Sequence, residues 1–417
     1  MRSLTTLLLL LPVALTAQAV PTRNAALTAA LETLKRDNAW TLEQQVSICE
    51  IPAPPFKEAE RAAELKRRFE AHGLTNVRID AEGNVIGERR GTGGGPTVVL
   101  SGHLDTVFPE GTDVKVRREG TRFAAPGIGD DCRGLAVILA TARALQQAKV
   151  THPGTILFVG TVGEEGPGNL RGVRALFKSP PETIDYFISV DGTGLGLTTG
   201  AVGSHRYLIA FEGPGGHSFG AFGMPNPIHA MGRAIAAIAE FQVPRSPRTT
   251  FNVGIVSGGT SVNTISPKGA MEVDLRSESP EELAALDAKL RTAVQAAMDA
   301  ENARWPNARP QTRVAVTWTD MGVRPAAPQR DTSLIARTAL AAGKAIGFTA
   351  ETGASSTDSN IPMSLGVPAV TMDGGGEGRG AHSLGETYDD GPEGWKGPQW
   401  VLLTTVMLVL QTTDGRR

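Results

Sequence analysis

The sequence predicts an α/β protein: a main domain with a mainly parallel sheet, assembled from two sequence segments, with a small α+β lid domain inserted between them. Three observations predict it. Short apolar runs at Thr97 to Ser101 (TVVLS), Thr155 to Thr161 (TILFVGT) and Tyr186 to Val190 (YFISV) alternate with helical stretches, as buried strands of a parallel sheet do. Near residue 204 the pattern becomes strand–helix–strand–strand–helix with proline-rich joints, the mark of a compact α+β insert. After Asp320 the helix, strand and glycine-loop style of the first part returns. The expected boundaries are 20–203 and 316–417 for the main domain and 204–315 for the lid, and 417 residues suffice for two cores.

The elements follow in order. Residues 1–19 read as a secretory signal peptide: Arg2 gives a positive start, Leu7 to Leu15 an apolar stretch, and Ala17-Gln18-Ala19 a cleavage site. The stretch is too short and wrongly flanked for a membrane anchor, and no cysteine follows it to carry a lipid. The chain is therefore expected to be exported, periplasmic or secreted. Ala25 to Val46 and Glu58 to Ala71 read as helices, the second stopped by Gly73. Val77 to Asp80 and Asn84 to Arg89 read as strands before the turn Gly91 to Pro96. Leu135 to Ala148 and Gly172 to Lys178 are helical in pattern. In the insert, His205 to Glu212, Thr250 to Val256 and Gly269 to Ser277 read as strands, and Asn226 to Phe241 and Glu281 to Asn302 as helices. Thr332 to Ile346 and Ala369 to Met372 resume the main domain. Trp400 to Leu410 is strongly apolar but about half the length of a spanning helix, so it predicts a packed core helix.

A net charge of −2 offers neither the basic footprint of a nucleic-acid binder nor a polybasic membrane patch. The only cysteines are Cys49 and Cys132. Two cysteines far apart in a large chain are a weak disulfide signal, and free thiols are expected.

The chemistry sits where the strands end. His103 and Asp105 follow TVVLS, Asp130 and Asp131 lie in a glycine-rich loop before a helix, Glu164 and Glu165 follow TILFVGT, and Asp191 follows YFISV. The carboxyl ends of parallel strands line the ligand crevice, so these segments deliver their side chains to one rim. His382, in a late glycine-rich loop, completes the set. A mixture of imidazole and carboxylate suits zinc, and this many carboxylates suit two ions sharing a bridging carboxylate rather than one. Asp105, two residues beyond His103, is placed to fix the imidazole tautomer. A glycosidase would also use paired carboxylates, but it needs no clustered histidines. The tract Gly374 to Gly380 lacks the Gly-Lys-Ser/Thr ending of a phosphate loop and reads as a flexible segment presenting His382, with Thr357-Asp-Ser-Asn360 shaping the same pocket.

The motifs SGHLDTV, GDDCRGLA, GEEG, VDG and GAHS, in this order across nearly the whole mature chain, resemble the zinc aminoacylase/carboxypeptidase family of co-catalytic metallopeptidases. That family includes glutamate carboxypeptidases, tripeptidase T, aminoacylases and succinyl-diaminopimelate desuccinylase. The resemblance implies two Zn2+ per chain, with Co2+ or Mn2+ as alternatives. His103 and Asp191 would hold one ion, Glu165 and His382 the other, and Asp130 would bridge them. Glu164 would be the general base and Asp105 would orient His103. The bridging Asp of the family precedes a small helix residue by six positions, which with Ala136 selects Asp130, while Asp131 stays an alternative. Where the family commonly has Lys, this chain has Cys132, and Arg133 is a candidate replacement charge.

In the lid, Gly215-Gly-His217-Ser, Ser261-Val-Asn263-Thr and Asp274-Leu-Arg276 match the family's substrate-clamping positions. Arg276 and Asn263 suit a carboxylate, His217 suits a tetrahedral oxyanion, and Arg324 is a further candidate clamp. In relatives this His acts across a dimer interface, so a homodimer through the lid is implied. The implied reaction is hydrolysis of an amide or peptide bond beside a free carboxylate, in short peptides or in N-acyl amino acids as an aminoacylase would cleave them. A non-catalytic secreted binding relative is the remaining alternative; retention of Glu164 argues against it.

Overall fold

The computed structural model describes residues 24–411. The signal-peptide reading of residues 1–19 lies outside them. The largest element is an eight-stranded sheet in the order Thr75–Ile79, Val85–Arg89, Thr155–Thr161, Thr97–His103, Tyr186–Val190, Ala369–Met372, Leu197–Ala201, Thr352–Ser355. Its centre is parallel: Thr97–His103 pairs in parallel with both Thr155–Thr161 and Tyr186–Val190, and Ala369–Met372 continues the run beside Tyr186–Val190. These strands are apolar on both faces because helices cover both sides of the sheet. Helices Cys132–Gln147 and Lys396–Val409 pack on one face around Val98, Leu100, Phe158 and Ile188. Helix Arg171–Lys178 packs over Val99, Leu157 and Phe187 on the other. Lys396–Val409 is buried from Gly397 to Val409, as its apolar sequence predicts, and no helix among the described residues is long and apolar enough to cross a membrane.

The run expected as one helix from Ala25 is two, Ala25–Arg36 and Asn38–Cys49, divided at Asp37, whose backbone leaves helical geometry while its carboxylate pairs with Arg143 at 2.9 Å. The insert builds its own sheet in the order Thr249–Gly258, Lys268–Ser277, Gly203–Glu212, Ala315–Arg324, all antiparallel, over helices Pro227–Ala239 and Pro280–Arg304. Its core, with Ile209, Phe211, Met271, Leu275, Leu286 and Leu290, is separate from that of the large sheet. The fourth strand lies beyond the expected boundary at 315, so the chain returns to the main sheet only after Arg324. A small antiparallel sheet of Arg117–Glu119, Arg122–Ala124, Glu377–Arg379 and Thr387–Asp389 frames the loop that carries His382; the tract expected to be a flexible segment thus contains a strand.

Candidate metal centre

The parallel strands end at the site. Thr97–His103 terminates in the buried His103, Thr155–Thr161 leads through a turn with Gly163 at φ 65° to Glu164 and Glu165, and Tyr186–Val190 leads to Asp191. Asp130 comes from the loop before helix Cys132–Gln147. His382 sits between strands Glu377–Arg379 and Thr387–Asp389 at φ 64°, a left-handed conformation uncommon for a non-glycine residue and typical of functional positions.

Asp130 is at the centre. One carboxylate oxygen lies 3.0 Å from His103 Nε2, and the other lies 3.0 Å from His382 Nε2, which is also 2.8 Å from Glu165 Oε1. The ligand atoms of His103, Asp130 and Asp191 lie within 4.8 Å of one another, and so do those of Asp130, Glu165 and His382. Glu164 faces the same space, since His103, Glu164 and Glu165 form a third group of this kind.

Crowding and burial set the electrostatics. Burial pushes Glu164 up to about 8, with the Arg324 guanidinium opposing. Burial also raises Asp191 well above the carboxylate range. Hydrogen bonds to Asp130 and Glu165 push His382 up to about 10. Burial works against a charge on His103, but Asp105 and Asp130 outweigh it and its imidazole is raised too. Both imidazoles thus sit among carboxylates that favour a positive charge there. Divalent cations answer the same need with more charge, and metal binding displaces ligand protons. The mixed nitrogen and oxygen donors, with Asp130 joining the group of His103 and Asp191 to that of Glu165 and His382, fit a pair of divalent metal ions.

The neighbouring carboxylates have other partners. Asp131 accepts hydrogen bonds from the backbone N–H of His103 (2.9 Å) and of Gly134 (2.9 Å), capping the helix and aligning the end of the strand. Asp105 accepts from the N–H groups of Glu164 (3.0 Å) and Glu165 (2.8 Å). His103 Nδ1 faces the Asp105 backbone carbonyl at 3.0 Å, while the nearest Asp105 carboxylate oxygen is 3.7 Å away. Asp105 thus meets the imidazole first through its main chain, and its side chain shapes the Glu164–Glu165 turn.

A cavity of about 480 Å³ opens over the cluster. Asp130, Glu164, Glu165, Asp191 and His382 line one side; Arg206 and Arg276 from the inserted sheet and Arg324 face them. Arg324 donates to Glu164 Oε1 (3.1 Å) and Ser356 Oγ (3.0 Å), and also to the Glu164 carbonyl. His217 and Asn263 do not line this cavity. His217 Nδ1 accepts from the N–H groups of Phe219 (3.2 Å) and Gly220 (3.3 Å), and Asn263 Oδ1 accepts from Ser261 (3.0 Å).

With this geometry in place, comparison with known proteins is decisive. The model of Peptidase family M20/M25/M40 matches residues 99–394, most of the chain and every residue of the metal cluster. The chain belongs to this family. It is accordingly a metal-dependent hydrolase. It is 27% identical over 349 residues to YqjE of Bacillus subtilis, covering 79% of this chain and 89% of that protein. It is 29% identical over 242 residues to carboxypeptidase G2 of a Pseudomonas species, covering 55% of each. Among solved structures, YxeP of Bacillus subtilis, described as a dinuclear metal-binding peptidase of the M20 family, shares its fold with a TM-score of 0.66 at 19% identity, over 91% of this chain and 99% of that one.

Two features of this M20 chain depart from expectation. Cys49 and Cys132 are bonded to each other, their Cα atoms 5.4 Å apart, which corrects the expectation of free thiols. The reason is tertiary: the end of helix Asn38–Cys49 packs on the start of helix Cys132–Gln147, joining residues 83 apart in sequence. Arg133 is fully buried and donates to the carbonyls of Gly374 (2.8 Å) and Gly394 (2.8 Å). It does not line the cavity, so it braces the His382 loop rather than supplying charge to the site. Cys49→Ser is expected to cost about 2–4 kcal/mol of stability, as for a disulfide closing a long loop. A lower thermal midpoint in non-reducing buffer, reproduced by adding reductant to the unmodified protein, is the expected result; no shift in either experiment contradicts a bonded pair.

Sequence reasoning missed Glu386. Its buried carboxylate accepts from the N–H groups of Gly127 (2.8 Å), Gly129 (2.7 Å) and Asp130 (3.1 Å), cradling the loop that presents Asp130. Its only sequence signal is its place four residues after His382.

Proposed function

We propose that this chain is an exported two-zinc peptidase that cleaves an amide bond in short peptides bearing a free carboxylate. The observation that carries this reading is Asp130: among the described residues it joins the group of His103 and Asp191 to the group of Glu165 and His382, with one oxygen 3.0 Å from each histidine. His103 and Asp191 would hold one ion and Glu165 and His382 the other. Ions held there would supply Lewis-acid charge to polarise the amide and activate water.

The chain's own groups perform the rest. Glu164 takes the proton of the attacking water and gives it to the departing amine; Arg324, bonded to its side chain and carbonyl, fixes its direction. Arg276, across the cavity, grips the substrate's free carboxylate. His217 and Asn263 lie outside the cavity of their own chain, beside the exposed Phe219 and Val262. This arrangement supports a homodimer through the inserted unit in which they serve the partner's cavity. Export is supported by the Cys49–Cys132 disulfide, since such bonds persist in oxidising compartments.

An N-acyl amino acid presents the same amide and carboxylate, so it belongs in the same test. The zinc-loaded full chain is offered dipeptides, tripeptides and N-acetyl amino acids, each with a free or an amidated carboxyl terminus. Cleavage confined to free carboxylates, and abolished by chelator, is expected. Equal cleavage of the amidated set, or none of either, contradicts the reading.

A further inference from the structure

The catalytic cavity holds one more cation than the proposed chemistry uses. Arg324 is committed to Glu164, and Arg276 answers the substrate's free carboxylate, yet Arg206 also lines the cavity. Arg206 lies directly opposite Asp274 in the pairing of strands Gly203–Glu212 and Lys268–Ser277, and Arg276 lies two residues beyond Asp274, so all three side chains share one face of the inserted sheet. Asp274 holds both arginines by the same kind of contact: Oδ1 accepts from Arg206 Nε at 3.0 Å and Oδ2 from Arg276 Nε at 2.8 Å. The terminal amino groups of both guanidinium groups have no protein partner among the described residues. One carboxylate thus fixes two cations side by side, leaving a net positive charge and two donor forks directed to the ligand space. A brace for Arg276 alone would need Asp274 but not a second arginine on the cavity wall.

We infer that Arg206 and Arg276 form a double guanidinium clamp that selects substrates with an acidic residue on the carboxyl side of the scissile bond, one guanidinium taking the free carboxylate and the other the side-chain carboxylate. This rests on the reading of the site as one that binds a free carboxylate. Each contact is a charge-assisted hydrogen bond, the class for which removing a partner changes affinity by about 10–100-fold.

The test compares Ala-Glu with Ala-Gln, which differ by one charge at nearly equal size, on the zinc-loaded full chain. The expected ratio of kcat/KM, Glu over Gln, is at least about 10 in the unmodified protein, falls towards 1 in Arg206→Gln through KM, and is partly restored in Arg206→Lys. A ratio near 1 in the unmodified protein, or one unchanged in Arg206→Gln, overturns the clamp. A parallel calorimetric titration with L-glutamate and L-glutamine reads binding without turnover. Tighter binding of glutamate that Arg206→Gln abolishes supports the clamp even if neither dipeptide is cleaved, a result that would instead overturn the peptidase reading; equal binding of both amino acids overturns the clamp.

Discussion

Glu164→Gln is expected to lower kcat by about 10²–10⁴, the range for a lost general base, while leaving the metal content near that of the unmodified protein. Glutamine keeps the shape of the side chain and can keep one contact to Arg324, but it cannot accept and return a proton. The choice of Gln over Ala matters because the side chain is buried between Arg324 and the carboxylate cluster, where a cavity would disturb its neighbours. Steady-state rates on any cleaved dipeptide, paired with elemental analysis, give the result. Glu164 also stands within ligand distance of His103 and Glu165. Loss of metal together with activity would therefore make it a ligand, and retention of both would remove it from the chemistry.

Asp130→Ala is expected to reduce occupancy at both metal positions and to abolish turnover, because its carboxylate joins the group of His103 and Asp191 to that of Glu165 and His382. Its two imidazole partners, His103 and His382, would lose an anionic neighbour at 3.0 Å each. Asp131→Ala provides the contrast. It removes a helix cap and the tie to the His103 backbone, so it is expected to cost about 1 kcal/mol or more of stability. An Asp130→Ala protein that still binds two ions with native affinity would remove the bridge from the account.

Much of this was legible in the sequence because strand ends are local features. The apolar runs TVVLS, TILFVGT and YFISV announce buried parallel strands, and the residue at the end of each is placed at the crevice by topology alone. Hence His103, Glu165 and Asp191 could be named before the fold was known. Asp130 and Asp131 are harder: adjacent carboxylates look alike in sequence, and only the structure shows that the Asp131 carboxylate accepts from the backbone N–H groups of His103 and Gly134. Asp105 was identified as important, but the target of its carboxylate, the Glu164–Glu165 backbone, depends on how two strand ends lie side by side. The Cys49–Cys132 bond and the Arg206–Asp274 pair were illegible for one reason: both join residues tens of positions apart, through helix packing in one case and strand register in the other. The strand Ala315–Arg324 alternates exposed and partly buried residues over Thr317, Trp318 and Thr319, a pattern present in the sequence, but its partner Gly203–Glu212 is too distant for the boundary to be drawn there.

One chain is expected to hold two divalent ions through a shared Asp130. Elemental analysis of the purified protein, before and after chelation and after titration with zinc, tests it most directly. Close to two ions per chain, loss of hydrolysis on chelation, and recovery that is complete only when the second equivalent has bound are expected. Saturation at one ion per chain with full activity, or hydrolysis that persists without metal, would contradict it.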